Sequence, residues 1–453
     1  MMSDIDQKIR HNDTVWKPEL SPALRSSSLE VCELIAERMS DYERVLAISE
    51  KAQKQATQGL FLGGASLGGG LGGLALLYLY QGRSLAKSRW EEQAHTYLRM
   101  AAQATQQAPL LTPYAYLGSS GFAYLVAEFC KLESRYSRTC DVLLANVAQQ
   151  VLETSWERQG PGVAMSDYDV IDGAAGILGL LLAANSSSTL VQAAIERLIN
   201  YLIWLNGTNE QGRRRWFIPP ELLPNESYHE AYPDGYYNLG LAHGIPAPLA
   251  ALSQAWKSGY QLPGQRETIE QLSQWILERQ VKDQWGINWP GGVPLADSFS
   301  PDQWKLLSPS RAAWCYGVPG VAASLWQAGD ALEDESLHQV ALEAFETVFQ
   351  RPPAYLYTFS PTLCHGYAGL LAICLRFAQN TDSPIIREQI PRLVEQVLQT
   401  CSPEYPLGVR DEEQRGNFVD DPGFLTGAIG VALTLLAAAT PVEPAWNRLL
   451  LIA

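Results

Sequence analysis

The chain has 453 residues, 47% of them apolar and 18% charged, and a formal net charge of −15 from 33 basic and 48 acidic residues. Such a composition belongs to a globular protein with ample core and excludes a disordered chain. The acidic balance argues against nucleic acid as a partner and favours, weakly, a cationic peptide or small substrate.

The opening stretch, MMSDIDQKIRHNDTVW, has no apolar run of the secretory kind, so a cytoplasmic, reducing location is expected. Seven cysteines agree with this: Cys32, Cys130, Cys140, Cys315, Cys364, Cys374 and Cys401 are odd in number and lack the spacing of a small disulfide scaffold. Residues 1–56 read as a charged, helical N-terminal extension. From Gln55 to Gly82 no charged residue occurs, a length that permits a membrane span. Yet eight of the 22 residues from Gly59 to Tyr80 are glycine, and similar stretches recur. A buried helix is the better reading, with no transmembrane segment.

Residues 57–453 are punctuated by a repeat. A Gly-x-x-Gly unit stands before an apolar run at Gly70/Gly73, Gly118/Gly121, Gly173/Gly176, Gly317/Gly320, Gly366/Gly369 and Gly427/Gly430. A seventh copy begins at Gly244, with Ala247 in place of the second glycine. The first glycines lie 48 to 73 residues apart. Runs such as GILGLLLAAN, GLLAICLRFA and GVALTLLAAA are apolar nearly all round, as in a buried helix. Between them lie amphipathic segments beginning near Ser84, Ser188 and Leu332, which read as outer helices with one apolar stripe. One helix pair cannot bury its own face, and stacked pairs can. The spacing predicts seven helical hairpins, with inner helices starting at the seven first glycines and a closed ring preferred over an open solenoid. Residues 206–238, with RRRW and YHEAYPDGYY, are too long and too aromatic for a tight link. They are expected to form a small non-helical insertion or a substrate-facing loop.

Chemistry gathers just upstream of the glycines. Asp169 and Asp172 precede Gly173, His243 precedes Gly244, Cys315 precedes Gly317, and Cys364 and His365 precede Gly366. If the inner helices run parallel around a ring, these residues meet at one mouth. A helix N-terminus also favours a thiolate. Cys315 and Cys364 sit two residues before their glycines in adjacent copies, and His365 follows directly. Two thiolates and one imidazole suit zinc and leave a fourth position open, as catalytic zinc requires. Taken alone, His243 reads as a satisfied helix-start histidine before a catalytic one, Asp169 as an N-terminal charge or cap, and Arg311 as a surface ion-pair partner. Trp314, Tyr316, Tyr236 and Tyr237 read as core or rim aromatics. The remaining five cysteines read as small apolar core residues.

The segments NLGLAHGIPAPL, RAAWCYGVPG, TLCHGYAGLL, FLTGAIGVALTLL and YDVIDGAAGIL resemble those of the lanthionine synthetase C-like (LanC) family, in order, over about residues 57–440. The resemblance implies an all-α fold, the α/α toroid of seven hairpins. It also implies one zinc ion held by Cys315, Cys364 and His365. The family's catalytic pair falls on Asp169 and His243, and a site arginine on Arg311. The implied activity is that of a stand-alone cyclase, since the chain leaves no room for a dehydratase domain. It adds peptide cysteine thiolates to dehydroalanine or dehydrobutyrine and closes thioether rings. The implied partner is a dehydrated precursor peptide, with a dehydratase and an export transporter as further members of a modification complex. Alternatives are a noncatalytic relative that binds thiols such as glutathione at the same zinc, a peptide-binding scaffold, and another toroid enzyme. Of these, a glycosidase would need paired carboxylates across a cleft, and only Asp169 and Asp172, on one short segment, offer themselves.

Overall fold

A computed structural model describes residues 16–57, 59–60, 63–295 and 310–453. Helices α1 (Pro22–Arg38) and α2 (Tyr42–Gln55) precede the first repeat. The repeats then alternate inner and outer helices: α3 (Leu71–Leu85) and α4 (Ser88–Gln107), α5 (Ser119–Cys130) and α6 (Ser137–Glu153), α7 (Ala174–Ala184) and α8 (Thr189–Leu205). After the insertion, with its short helix α9 (Glu226–Ala231) and strand β1 (Tyr236–Asn238), come α10 (Pro246–Lys257) and α11 (Gln265–Leu277). Strands β2 (Val281–Asp283), β3 (Gly286–Asn288) and β4 (Gly292–Pro294) follow. The chain continues with α12 (Val318–Leu332) and α13 (Glu335–Val348), then α14 (Tyr367–Asn380) and α15 (Pro384–Gln399). Strands β5 (Asp411–Gln414) and β6 (Asn417–Val419) lead to the last inner helix, α16 (Ala428–Ala439). Among the described residues, no helix is long and apolar enough to cross a membrane.

Six of the seven inner helices begin on the residue after the predicted glycine, and α10 begins two residues after Gly244. The reason is a shared way of capping. The first N–H groups of a helix have no partner within it, and here no side chain caps α3, α7, α10, α12, α14 or α16. Instead, the preceding loop folds back and offers carbonyls seven residues upstream. Tyr367 and Ala368 donate to Ser360 and Pro361 at 2.9 and 3.1 Å, Ala428 donates to Asp421 at 2.9 Å, and Ser119 donates to Thr112 at 2.9 Å. Such close backbone approach leaves no space for a Cβ. One on Gly366 would stand 2.2 Å from the Ser360 oxygen. Gly317 is doubly constrained, with φ at +91° and the Arg311 oxygen 1.9 Å from where a Cβ would be.

By contrast, the outer helices are striped. On α4, Trp90, Ala94, Tyr97, Leu98 and Ala101 are buried, a three-and-four spacing that turns one face inward. α16 is buried at every residue, as its apolar composition requires.

The chain forms two compact units. One comprises the described residues up to Leu110, Leu125–Ser134 and Thr358–Asn447; the other comprises Leu111–Tyr124, Arg135–Tyr357 and Arg448–Ala453. Within the first, α16 packs on α14 and also on α3. The last inner helix therefore lies against the first, an adjacency that a closed ring needs and an open solenoid lacks. Helix α1 also packs against α16. Cys32 of α1 donates to the Ala432 carbonyl, and the Trp16 indole donates to the Ala437 carbonyl at 2.9 Å. Within the second unit, α7, α10 and α12 pack in sequence order, with α8, α11 and α13 outside them.

Residues 206–238 are mostly turns, as expected, but they include α9. Asn225 accepts the Tyr228 N–H and starts this helix, and Tyr228 and Tyr232 pack against a small core of Ile218, Leu223 and Tyr236. β1 pairs antiparallel with β4, Tyr236 facing Pro294, so the insertion is tied down at its end. No disulfide joins the cysteines; Cys32, Cys140 and Cys374 are buried as small apolar residues, whereas Cys130 and Cys401 are only half-buried.

Because the capping loop leaves no room at Gly366, Gly366→Ala should destabilise the protein by about 1–3 kcal/mol. The measurement is the thermal unfolding midpoint followed by circular dichroism, and an unchanged midpoint would contradict this capping scheme.

Candidate active site

The loops before the inner helices are also hydrogen-bonded to one another. At five of the seven first glycines, the carbonyl two residues upstream accepts an N–H from the neighbouring repeat. In one unit, Ala115 donates to Ile171 at 3.2 Å, Val170 to Ala242 at 3.1 Å and Ala242 to Cys315 at 3.2 Å. In the other, Cys364 donates to Leu425 at 2.8 Å and Phe424 to Gly68 at 2.7 Å. Cys315 and Cys364 thus each belong to a backbone belt within their own unit, and the residues beside them are held at a fixed level relative to the helix starts of that unit.

Asp169 and His243 meet on this belt although 74 residues separate them. Asp169 Oδ2 lies 2.6 Å from His243 Nδ1. The other carboxylate oxygen accepts the N–H groups of Ile171, Asp172 and Gly173 at 2.8–3.0 Å. One oxygen therefore builds the turn into α7 while the other orients the imidazole. The same side chain thus both closes the turn before α7 and contacts the imidazole. Burial alone would hold His243 below its ordinary value, but the Asp169 hydrogen bond and charge, with Cys315 and Asp172 nearby, raise it above 6.5. Asp172 is pushed up to about 6 by burial and by the charge of Asp169, and its Oδ1 is buried with no hydrogen-bond partner. This state arises from burial and was not legible in the sequence.

Cys315 is buried two residues before Gly317, and its neighbour Trp314 is pinned by an indole hydrogen bond to the Leu450 carbonyl at 2.9 Å. Arg311 is half-buried at the start of the same loop; Ala312, directly after it, donates to the Leu356 carbonyl at 2.8 Å. Tyr316 accepts from Asn238 at 3.0 Å and lies 3.3 Å from the Tyr228 hydroxyl, which joins the insertion to this loop.

In the other unit, Cys364 is half-buried and His365 buried. His365 Nε2 lies 3.1 Å from Asp411 Oδ1, and that carboxylate also accepts the Ser360 hydroxyl at 2.6 Å. Asp411 was not foreseen. It sits on β5, outside the repeat, in a charged run with no distinguishing local pattern. Asp421, also buried, accepts the Gly423 N–H and the Thr426 hydroxyl.

Among the described residues, no group of three or more His, Cys, Asp or Glu side chains is arranged to hold a metal ion. The donor chemistry nevertheless fits zinc. A proton on His365 Nε2, held by Asp411, leaves Nδ1 as the lone-pair nitrogen, which is how a carboxylate prepares an imidazole ligand. Cys315 and Cys364 are reduced thiols at equivalent belt positions.

With the belt and the Asp169–His243 pair described, the class of protein follows. Residues 63–451 match the family of lanthionine synthetase C-like proteins. The chain belongs to that family, and its fold class is all-α, of the toroid type. It is 26% identical over 340 residues to the nisin biosynthesis protein NisC of Lactococcus lactis subsp. lactis, covering 74% of this chain and 79% of that protein. It also superposes on the solved structure of a nisin cyclase with a TM-score of 0.75 and 24% identity, covering 90% and 96% of the two chains.

The raised His243 value gives the pair a pH signature. Its stabilising contribution is complete below 6.5 and fades as pH rises through the raised value. Asp169→Asn keeps an oxygen for the three backbone N–H groups but removes the charge. The imidazole of His243 should then titrate at lower pH, checked by NMR titration; an unmoved His243 would separate it from Asp169.

Proposed function

We propose that this protein is a zinc-dependent lanthipeptide cyclase that joins peptide cysteines to dehydroalanine or dehydrobutyrine. The observation that carries the reading is the 2.6 Å contact of Asp169 with His243 in a chain of this family. A protein that merely bound thiols would not need an oriented acid–base pair. The peptide would arrive already dehydrated, from a dehydratase acting in the cytoplasm, and a transporter would export the product.

Cys315, Cys364 and His365 would hold the zinc, which, when bound, keeps an entering thiol as thiolate at neutral pH. Asp411 fixes the His365 ring. The sulfur attacks the β-carbon of the dehydro residue, forming the C–S bond while the double-bond pair moves toward the carbonyl. Negative charge then develops on the carbonyl oxygen and needs a cation. Arg311 is assigned this role; it makes no ion pair among the described residues. His243, protonated more readily than an ordinary histidine, gives a proton to the α-carbon. Asp169 holds the ring so that Nε2 is the donating atom. The thiol proton and the α-carbon proton balance, and nothing is lost or oxidised.

Two measurements test the assignment. Cys315→Ala, Cys364→Ala or His365→Ala should each lose metal and ring formation while helical content stays. Cys374→Ala should keep its metal, because Cys374 is buried inside α14, donates to the Ile386 carbonyl, and has its thiol value raised by burial. Metal analysis decides this; zinc retained without Cys364, or lost without Cys374, overturns the ligand set. For His243→Asn, metal content should be unchanged while cyclisation of a dehydrated peptide slows by roughly 10²–10⁴-fold. Loss of metal would instead place His243 among the ligands.

A further inference from the structure

The RRRW motif of the insertion plays no part in the chemistry above. Arg213, Arg214 and Arg215 stand in an acidic chain, yet none of them pairs with a carboxylate among the described residues. Arg214 bonds the Asn206 carbonyl at 2.5 Å and lies over Trp216, Arg213 lies over Phe217, and Arg215 donates to the Trp204 carbonyl at 2.7 Å. Three unneutralised guanidiniums in succession are unexpected where acidic residues outnumber basic ones by 15.

Arg215 borders a cavity of about 870 Å³, between residues 158–163 and 208–211. That volume lies within the range of ligand-binding clefts. The walls are held in place. Asn209 donates to the Pro161 carbonyl at 2.7 Å, and Val163 donates to the Phe217 carbonyl at 2.9 Å. The guanidinium itself is positioned. Its carbon lies 4.6 Å from the Trp204 ring centre, and a Cβ on Gly207 would stand 2.5 Å from Nη1, so a side chain at 207 would displace the guanidinium from this place. Arg158 lines the same cavity and is held by two 2.9 Å bonds to Asp167, two residues before Asp169. Glu210, exposed, is the one carboxylate among the lining residues.

We propose that this cavity binds a carboxylate-bearing segment of the peptide substrate, outside the residues that are cyclised. The inference rests on reading the protein as a peptide-modifying enzyme. A guanidinium that is stacked and anchored has little conformational freedom left to lose and still has N–H groups for a carboxylate fork. The Trp204 ring and polar walls suit an extended peptide more than a compact apolar ligand. Arg158 is tied through Asp167 to the segment that leads into the Asp169 turn.

The test uses the full chain and a short dye-labelled peptide alternating Glu and Gly, with its Gln–Gly counterpart as control. Fluorescence anisotropy should show the Glu peptide binding roughly tenfold or more tightly than the Gln peptide, with affinity falling as salt rises. Arg215→Ala should weaken the Glu peptide by a similar factor. Gly207→Ala, which displaces the guanidinium but keeps its charge, should do likewise, and Arg392→Ala on α15 should not. Equal binding of the two peptides, or Glu-peptide binding unchanged in both the Arg215 and Gly207 variants, overturns the proposal. Ring closure on a dehydrated peptide is followed separately. Arg215-dependent binding without ring closure upholds the site and defeats the cyclase reading; ring closure with Arg215-independent binding does the reverse.

Discussion

The structure depends on one backbone arrangement repeated along the chain. Six of the seven inner helices are buried from their first residue and α14 from its second, so their leading N–H groups must be paired inside the protein. The preceding loop supplies its own carbonyls from seven residues upstream, as Ser360 does for Tyr367 and Asp421 for Ala428. This brings backbone onto backbone, which a side chain at the turn would prevent. Glycine at that position is the consequence, and the repeated punctuation of the sequence is its visible trace.

The same loops then determine where chemistry can occur. Their remaining carbonyls pair with the neighbouring repeat, so residues at a given offset from the glycine share one level. Asp169 and His243 become partners through this arrangement, and Cys315 and Cys364 acquire equivalent surroundings within their own units. Asp169 joins the two scales. Three backbone N–H groups hold one oxygen while the imidazole takes the other, so the turn that starts α7 is also the device that orients His243. The turn into α7 and the placement of the His243 ring are set by one carboxylate.

The insertion follows different rules. Its small aromatic core, with Tyr232 stacked 4.3 Å from Tyr236, gives it an order of its own, and Tyr228 links it to the loop of Cys315 through Tyr316. Its arginines are stabilised by rings and carbonyls in place of carboxylates, which leaves half-buried positive charge without an ion pair among the described residues of an acidic protein. The net charge points to a cationic partner and the cavity to an anionic segment. The two are compatible, since overall charge sets long-range behaviour and a cavity reads a few atoms.

Inner helix starts, striped outer helices and the offsets of Asp169, His243, Cys315, Cys364 and His365 were legible in the sequence. They depend on interactions within one repeat, where a glycine and an apolar period leave a direct mark. The short helix α9 was not, because the tyrosines that stabilise it also suit a loop, and only their contacts with Ile218 and Leu223 distinguish the two. Asp411 was not, because a carboxylate on a two-stranded hairpin looks like any solvated charge until the chain folds it against His365. The state of Asp172 was not, because it arises from burial beside Asp169. Sequence by itself determined which residues stand at the helix starts, since a missing Cβ is a local requirement. Tertiary structure alone decided which of them touch, since hydrogen bonds between residues 46 or 74 positions apart exist only after the loops have been brought side by side.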